Sequence, residues 1–98
     1  MNSYMITAVF PQALGDEFLS IIPEQRAHVD TLLQNGTIRS YAVAKDRSFL
    51  WTIIVAESEE EAASIVDGFP LRKFMTVKVK ELLFASSPAT ILPQMSLN

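Results

Sequence analysis

Between Phe49 and Ala56 the sequence reads FLWTIIVA, which is apolar at both parities of an extended strand: Trp51, Ile53 and Val55 on one side, Leu50, Ile54 and Ala56 on the other. A strand with one face in water alternates apolar with polar side chains, because successive residues point to opposite sides of the sheet. This strand needs cover on both. Tyr4 to Phe10 repeats the signal, with Ile6, Ala8 and Phe10 on one side and Met5 and Val9 on the other, and Pro11 closes it by removing an amide donor. Burying a second sheet face at about 25 cal/mol per Å² of apolar area favours another sheet packed against it. The chain is therefore expected to form a sheet-to-sheet homodimer, open to assembly into a higher oligomer.

Composition points the same way. The 98 residues are 49% hydrophobic and only 19% charged, which excludes an intrinsically disordered chain. A monomer of this size buries only about 60–65% of its unfolded surface, so this apolar content exceeds what one small sphere hides well. Eight Lys plus Arg against eleven Asp plus Glu give a charge of -3, which offers no field for a nucleic-acid backbone. There is no cysteine for disulfide or thiolate chemistry, and one histidine does not make a His-based metal cluster. No metal and no cofactor are expected. Met1 to Phe10 lacks a positive n-region and a small-residue cleavage site, and the apolar runs are too short to span a bilayer. These features suggest a cytoplasmic protein with neither membrane nor nucleic acid as partner.

After the first strand, Phe18, Ile22, Val29, Leu32 and Leu33 recur at helical spacing from about Asp16, with Gly36 behind Asn35 as the stop. Pro23 falls inside this helix, read as one long bent segment. Thr37 to Ala44 and Phe49 to Ala56 form a β-hairpin around a turn at Lys45 to Arg47, which Asp46 supports. Ser58 followed by Glu59, Glu60 and Glu61 is a capping box, and Ala62, Ile65, Val66 and Phe69 stripe the helix it opens until Gly68 and Pro70 end it. Phe74 to Phe84 is the last strand, with Met75, Val77 and Val79 on one face and Thr76, Lys78 and Lys80 on the other. The order β, α, β, β, α, β with right-handed crossovers gives an α+β ferredoxin-like plait, an antiparallel four-stranded sheet with two helices on one face. Residues 1–84 make this domain, and 85–98 are a C-terminal tail, either loose or docked on a partner.

The stretch IPEQRAHVDTLLQNGTIRSYAVAKDR, a helix closed by Gly36 with an Arg three residues later, and the stretch ESEEEAASIVDGFPLRKFMTVKVKELLF carry a resemblance. Together they resemble the muconolactone delta-isomerase-like branch of the dimeric α+β barrels, over about residues 4 to 84. The resemblance implies a barrel dimer with a ligand pocket at each sheet, and a small organic acid or lactone as ligand. It also implies an isomerase that shifts a double bond by removing a proton at one carbon and returning it at another, which calls for a placed base. Genuine isomerases of this kind carry a His-Pro pair after the last strand; this chain has Ser87 and Pro88 there, so the resemblance carries over no base.

His28 is the side chain whose ordinary pKa lies near neutrality, and so the candidate for proton transfer; the plainer reading is a partly exposed residue at the edge of the helical stripe. Arg26 and Asp30, four apart, read as a solvated surface pair. Arg39, Tyr41 and Val43 share a parity on the second strand that puts them with Trp51, and a guanidinium beside two aromatics suits a carboxylate on an apolar body. Equally, Arg39 lies near solvent on an edge strand while Tyr41 and Trp51 are dimer-core residues. Thr7 and Lys78 face the same side; Lys78 and Lys80 also fit as protective charges on an edge. The expected substrate-binding set is thus Thr7, Arg39, Tyr41, Trp51 and Lys78, with His28 as the catalytic candidate. Two functions remain open, an isomerase acting by proton transfer and a non-catalytic small-ligand-binding or assembly module.

Overall fold

A computed structural model describes residues 1–85. The elements are β1 (Asn2–Val9), α1 (Asp16–Gln34), β2 (Ile38–Val43), β3 (Phe49–Ala56), α2 (Glu59–Asp67) and β4 (Thr76–Leu82), with a 3-10 turn at Arg72–Phe74 before β4. The four strands form one antiparallel sheet in the order β2-β3-β1-β4, so the two doubly apolar strands are the central ones. This is the ferredoxin-like arrangement expected from the sequence. The predicted tail lies outside the described residues from Ser86 onward.

One face of the sheet is closed by the chain's own helices. Tyr4, Ile6 and Ala8 of β1 and Leu50, Ile54 and Ala56 of β3 are buried there against Phe18 and Val29 of α1 and Ala62 and Val66 of α2. Phe18 sits edge-on between Phe10 and Phe74, with ring centroids 5.4 Å apart in both pairs, a geometry that aligns ring edges with ring faces. Pro23 lies within α1, where it removes the amide that would bond the Leu19 carbonyl; both residues are exposed, so that carbonyl meets water. Gly36, at φ 83°, takes the left-handed conformation that ends the helix. At α2 the Ser58 hydroxyl accepts from the Glu61 amide at 3.1 Å, as expected from the sequence, while the Glu61 carboxylate reaches one residue beyond the cap and accepts from the Glu57 amide at 3.2 Å. Among the described residues no helix is long and apolar enough to cross a membrane.

The other face has no helix on it. Met5, Thr7, Ile53 and Val55 are half-buried, and Val9, Phe49 and Trp51 keep 39%, 38% and 39% of their surface exposed. Phe49 and Trp51 stack in parallel with centroids 5.5 Å apart.

β2 departs from simple alternation. Its pairing steps from Ile38 opposite Ile54 to Ser40 opposite Ile53, so Arg39 is an extra residue, a β-bulge. The Thr52 hydroxyl, buried on the helix side, donates to the Ser40 carbonyl at 2.8 Å and satisfies an acceptor beside the irregularity. Beyond the bulge the parity reverses. Tyr41 pairs with Thr52 and Val43 with Leu50, both helix-side residues, whereas Ala42 pairs with Trp51. The expectation that Tyr41 and Val43 share a face with Trp51 is therefore corrected: the extra residue turns them under α1.

Candidate functional site

The reversal gives α1 and the β2 edge of the sheet a shared crevice, about 890 Å³ in volume, within the range of small-molecule sites. Ile22, Arg26, Val29, Asp30 and Leu33 form one wall, since residues three and four apart stack along one stripe of a helix. Tyr41, Val43 and Leu50 form the sheet side, and Leu71 closes the inner end. Arg47 reaches the opening from the β2–β3 turn. There the Asp46 carboxylate accepts from both the amide and the hydroxyl of Ser48, which holds that carboxyl below the usual aspartate range. Arg47 itself sits at φ 63°, a left-handed conformation uncommon for a residue with a side chain.

At the floor of the crevice Gln25 is only 3% exposed, yet both ends of its amide are occupied. Its Oε1 accepts from the Leu71 amide at 3.1 Å and its Nε2 donates to the Tyr41 hydroxyl oxygen at 3.1 Å. This bridge ties α1 to β2 and to the passage into β4. Burial pushes the Tyr41 phenol above its usual value and outweighs the opposing effect of the Gln25 hydrogen bond, so the group is a neutral hydroxyl at physiological pH. The crevice thus combines apolar walls, two guanidinium groups, one carboxylate and one phenolic hydroxyl, a set suited to a small oxygen-bearing anion.

The sequence-predicted residues fall in three separate places. Tyr41 lies in the crevice. Thr7, Trp51 and Lys78 lie in one row across the uncovered sheet face, because Thr7 pairs with Trp51 on one side and with Lys78 on the other. Arg39 is exposed at the bulge between them. His28 is half-buried off the crevice stripe of α1, with its ring edge-on to Phe69 at 5.9 Å. No single cluster of Arg39, Tyr41 and Trp51 forms, since the sheet stands between the two rings. Gln25, Arg47 and the crevice placement of Arg26 and Asp30 are what sequence reasoning missed. Gln25 did leave a signal, a polar residue within the apolar stripe between Ile22 and Val29. Among the described residues no group of His, Asp and Glu is arranged to hold a metal ion.

Comparison with solved structures places the fold. The chain is similar to muconolactone isomerase, at a TM-score of 0.69 and 15% identity over 87% of this chain and 92% of that one. It is also similar to 5-chloro-2-hydroxyhydroquinone dehydrochlorinase from Burkholderia phenoliruptrix AC1100, solved in complex with 2,5-dihydroxybenzoquinone. That match has a TM-score of 0.62 and 18% identity over 85% of this chain and 95% of that one. At these identities the shared property is the scaffold. No protein-family model and no curated protein matches the sequence.

Proposed function

We propose that this chain is a cofactor-independent isomerase that moves a double bond in a small unsaturated lactone or related organic acid bound in the crevice between α1 and β2. The observation that carries the reading is the half-buried Tyr41 hydroxyl, held by Gln25 at the floor of a crevice with Arg26 and Arg47 on its walls. Shifting a double bond next to a carbonyl removes a proton from one carbon and leaves its electron pair delocalised onto the carbonyl oxygen. The Tyr41 hydroxyl donates to that developing oxyanion, where a preformed donor in a partly dry site is most effective. A guanidinium from Arg26 or Arg47 holds the ligand's carboxylate. Asp30, the carboxylate on the same wall, takes the proton and returns it to the far carbon, so that nothing is gained or lost overall. His28, off the crevice stripe, has no part in this scheme. Structural likeness to an isomerase and to a dehydrochlorinase solved with a dihydroxyquinone supports a small oxygenated ring as the ligand.

The same reading has the protein working in the cytoplasm as a homodimer. The partly exposed Val9, Phe49 and Trp51, with Ile53 and Val55 beside them, support two copies packed sheet to sheet. A second reading, a binding module without turnover, is favoured by the mainly apolar crevice wall.

Following the ultraviolet absorbance of muconolactone and titrating 2,5-dihydroxybenzoquinone by calorimetry separates the two. Turnover that drops about 100-fold in Tyr41→Phe supports the isomerase. Binding without turnover leaves the module, and no response to either compound removes both readings for this ligand class.

A further inference from the structure

We propose that Gln25 is a positioning residue that fixes the direction of the Tyr41 hydroxyl, so that the crevice selects ligands presenting a bare carbonyl or enolate oxygen over ligands presenting a hydroxyl. The inference rests on the reading of the crevice as a ligand site, and it names the class of group met at the floor.

The argument starts from a backbone amide. An N–H is a donor only, so the atom of Gln25 facing the Leu71 amide has to be the carbonyl oxygen. That settles which way the side-chain amide lies, a choice that is otherwise ambiguous for glutamine. The nitrogen end then faces Tyr41, 3.1 Å away. An amide nitrogen has no lone pair to offer, so the Tyr41 oxygen accepts, and its own proton turns elsewhere. Among the described residues no protein group takes that proton. What lies before it is the crevice, whose sheet side Tyr41 forms.

The polarity therefore runs one way: Leu71 amide to Gln25, Gln25 to Tyr41, Tyr41 to the ligand. A ligand hydroxyl at that point can accept the Tyr41 proton, but its own proton then has to find an acceptor within a mainly apolar crevice, while a carbonyl or enolate oxygen, an acceptor only, completes the chain at no such cost. Gln25 touches no ligand in this scheme. It acts by denying Tyr41 the alternative orientation, and the buried position of its amide keeps water from relaxing the constraint.

Gln25→Glu tests this, because a carboxylate of the same shape still accepts from Leu71 but presents an acceptor to Tyr41, which reverses the hydroxyl. The first readout needs no ligand. The chain has two tyrosines, so Tyr41→Phe identifies the ring-carbon NMR signal of Tyr41, whose titration is followed in both proteins. With the carboxylate ionised, Gln25→Glu shifts that titration upward by more than about one pH unit, since the phenolate loses a donor and gains a like charge. An unchanged titration overturns the proposal.

The second readout is selectivity between the uncharged pair 1,4-benzoquinone, whose two oxygens are both carbonyls, and hydroquinone, which presents hydroxyls. The wild type prefers the former, and Gln25→Glu lowers that preference at least about tenfold while hydroquinone binding holds or improves. An equal fall for both probes marks Gln25 as merely structural and overturns the proposal. Should Gln25→Glu not fold, Gln25→Met keeps the volume and removes both polar ends; loss of the preference is then expected, and its retention overturns the proposal. If the wild type binds neither probe, the crevice reading fails, and the Tyr41 titration still decides the orientation.

Discussion

The two faces of the sheet are built from the same kinds of residue and end in opposite conditions. On the helix side Tyr4, Ile6, Leu50 and Ile54 are nearly or fully buried, and the polar groups among them, Thr52 and Gln25, are bonded. On the far side Met5, Ile53, Val55 and Trp51 form an apolar surface that no part of the described chain covers. The difference teaches that apolar content marks where cover is needed and leaves open what supplies it. The helix side is closed by α1 and α2, and only there does the chain bury the polar groups that a ligand site needs.

The comparison breaks first on paired truncations. Ile54→Ala, on the helix side, is expected to lower stability by about 2–5 kcal/mol at every protein concentration in chemical denaturation. Ile53→Ala, its neighbour on the far side, costs about 1 kcal/mol in dilute solution and more as concentration rises if a second copy covers it. Equal, concentration-independent losses would erase the distinction between the faces. Trp51→Glu is the next largest change: light scattering at tens of micromolar is expected to give a dimer for the wild type and a monomer for the variant. A wild-type monomer there would leave the far face uncovered and the dimer wrong.

The third prediction concerns pH. The Tyr41 phenol is raised in the folded chain above its ordinary 10.0, so the folded state holds that proton where the unfolded chain has released it. Its contribution is complete below the ordinary value and is lost as pH rises through the folded one. Thermal melts are expected to fall off on the alkaline side, less steeply in Tyr41→Phe; superimposable slopes would show the phenol unburied. The smallest effect belongs to Arg47→Gly, which relieves the left-handed backbone at the turn and raises stability by up to about 1 kcal/mol while weakening any anionic ligand of the crevice. A variant that is both less stable and equally good at binding would show that the turn does not hold the arginine under strain.

Much of the fold was legible because its signals are periodic and local. FLWTIIVA marked a central strand, Ser58 with Glu61 marked the start of α2, and Gly36 marked the end of α1, each through chemistry contained in a few residues. The site was less legible because it depends on one extra residue. Nothing in Ile38-Arg39-Ser40, which has neither glycine nor proline, announces a bulge, and a parity count carried through it assigns Tyr41 to the wrong side. Arg72 and Lys73 sit in a 3-10 turn, where Arg72 pairs with Asp67 at 3.0 Å. That pairing joins groups five positions apart through a change of element, which no helical or strand period describes.

The kink at Arg39 also bears on how such a scaffold diversifies. Removing that single codon would restore strict alternation and leave Ile38 opposite Ile54 and Tyr41 opposite Thr52, so the phenol would keep its place in the crevice. Ligand chemistry and self-adhesion are thus both insulated from a change of length at this edge, so descendants of this frame can gain or lose a residue there while every other strand stays in place.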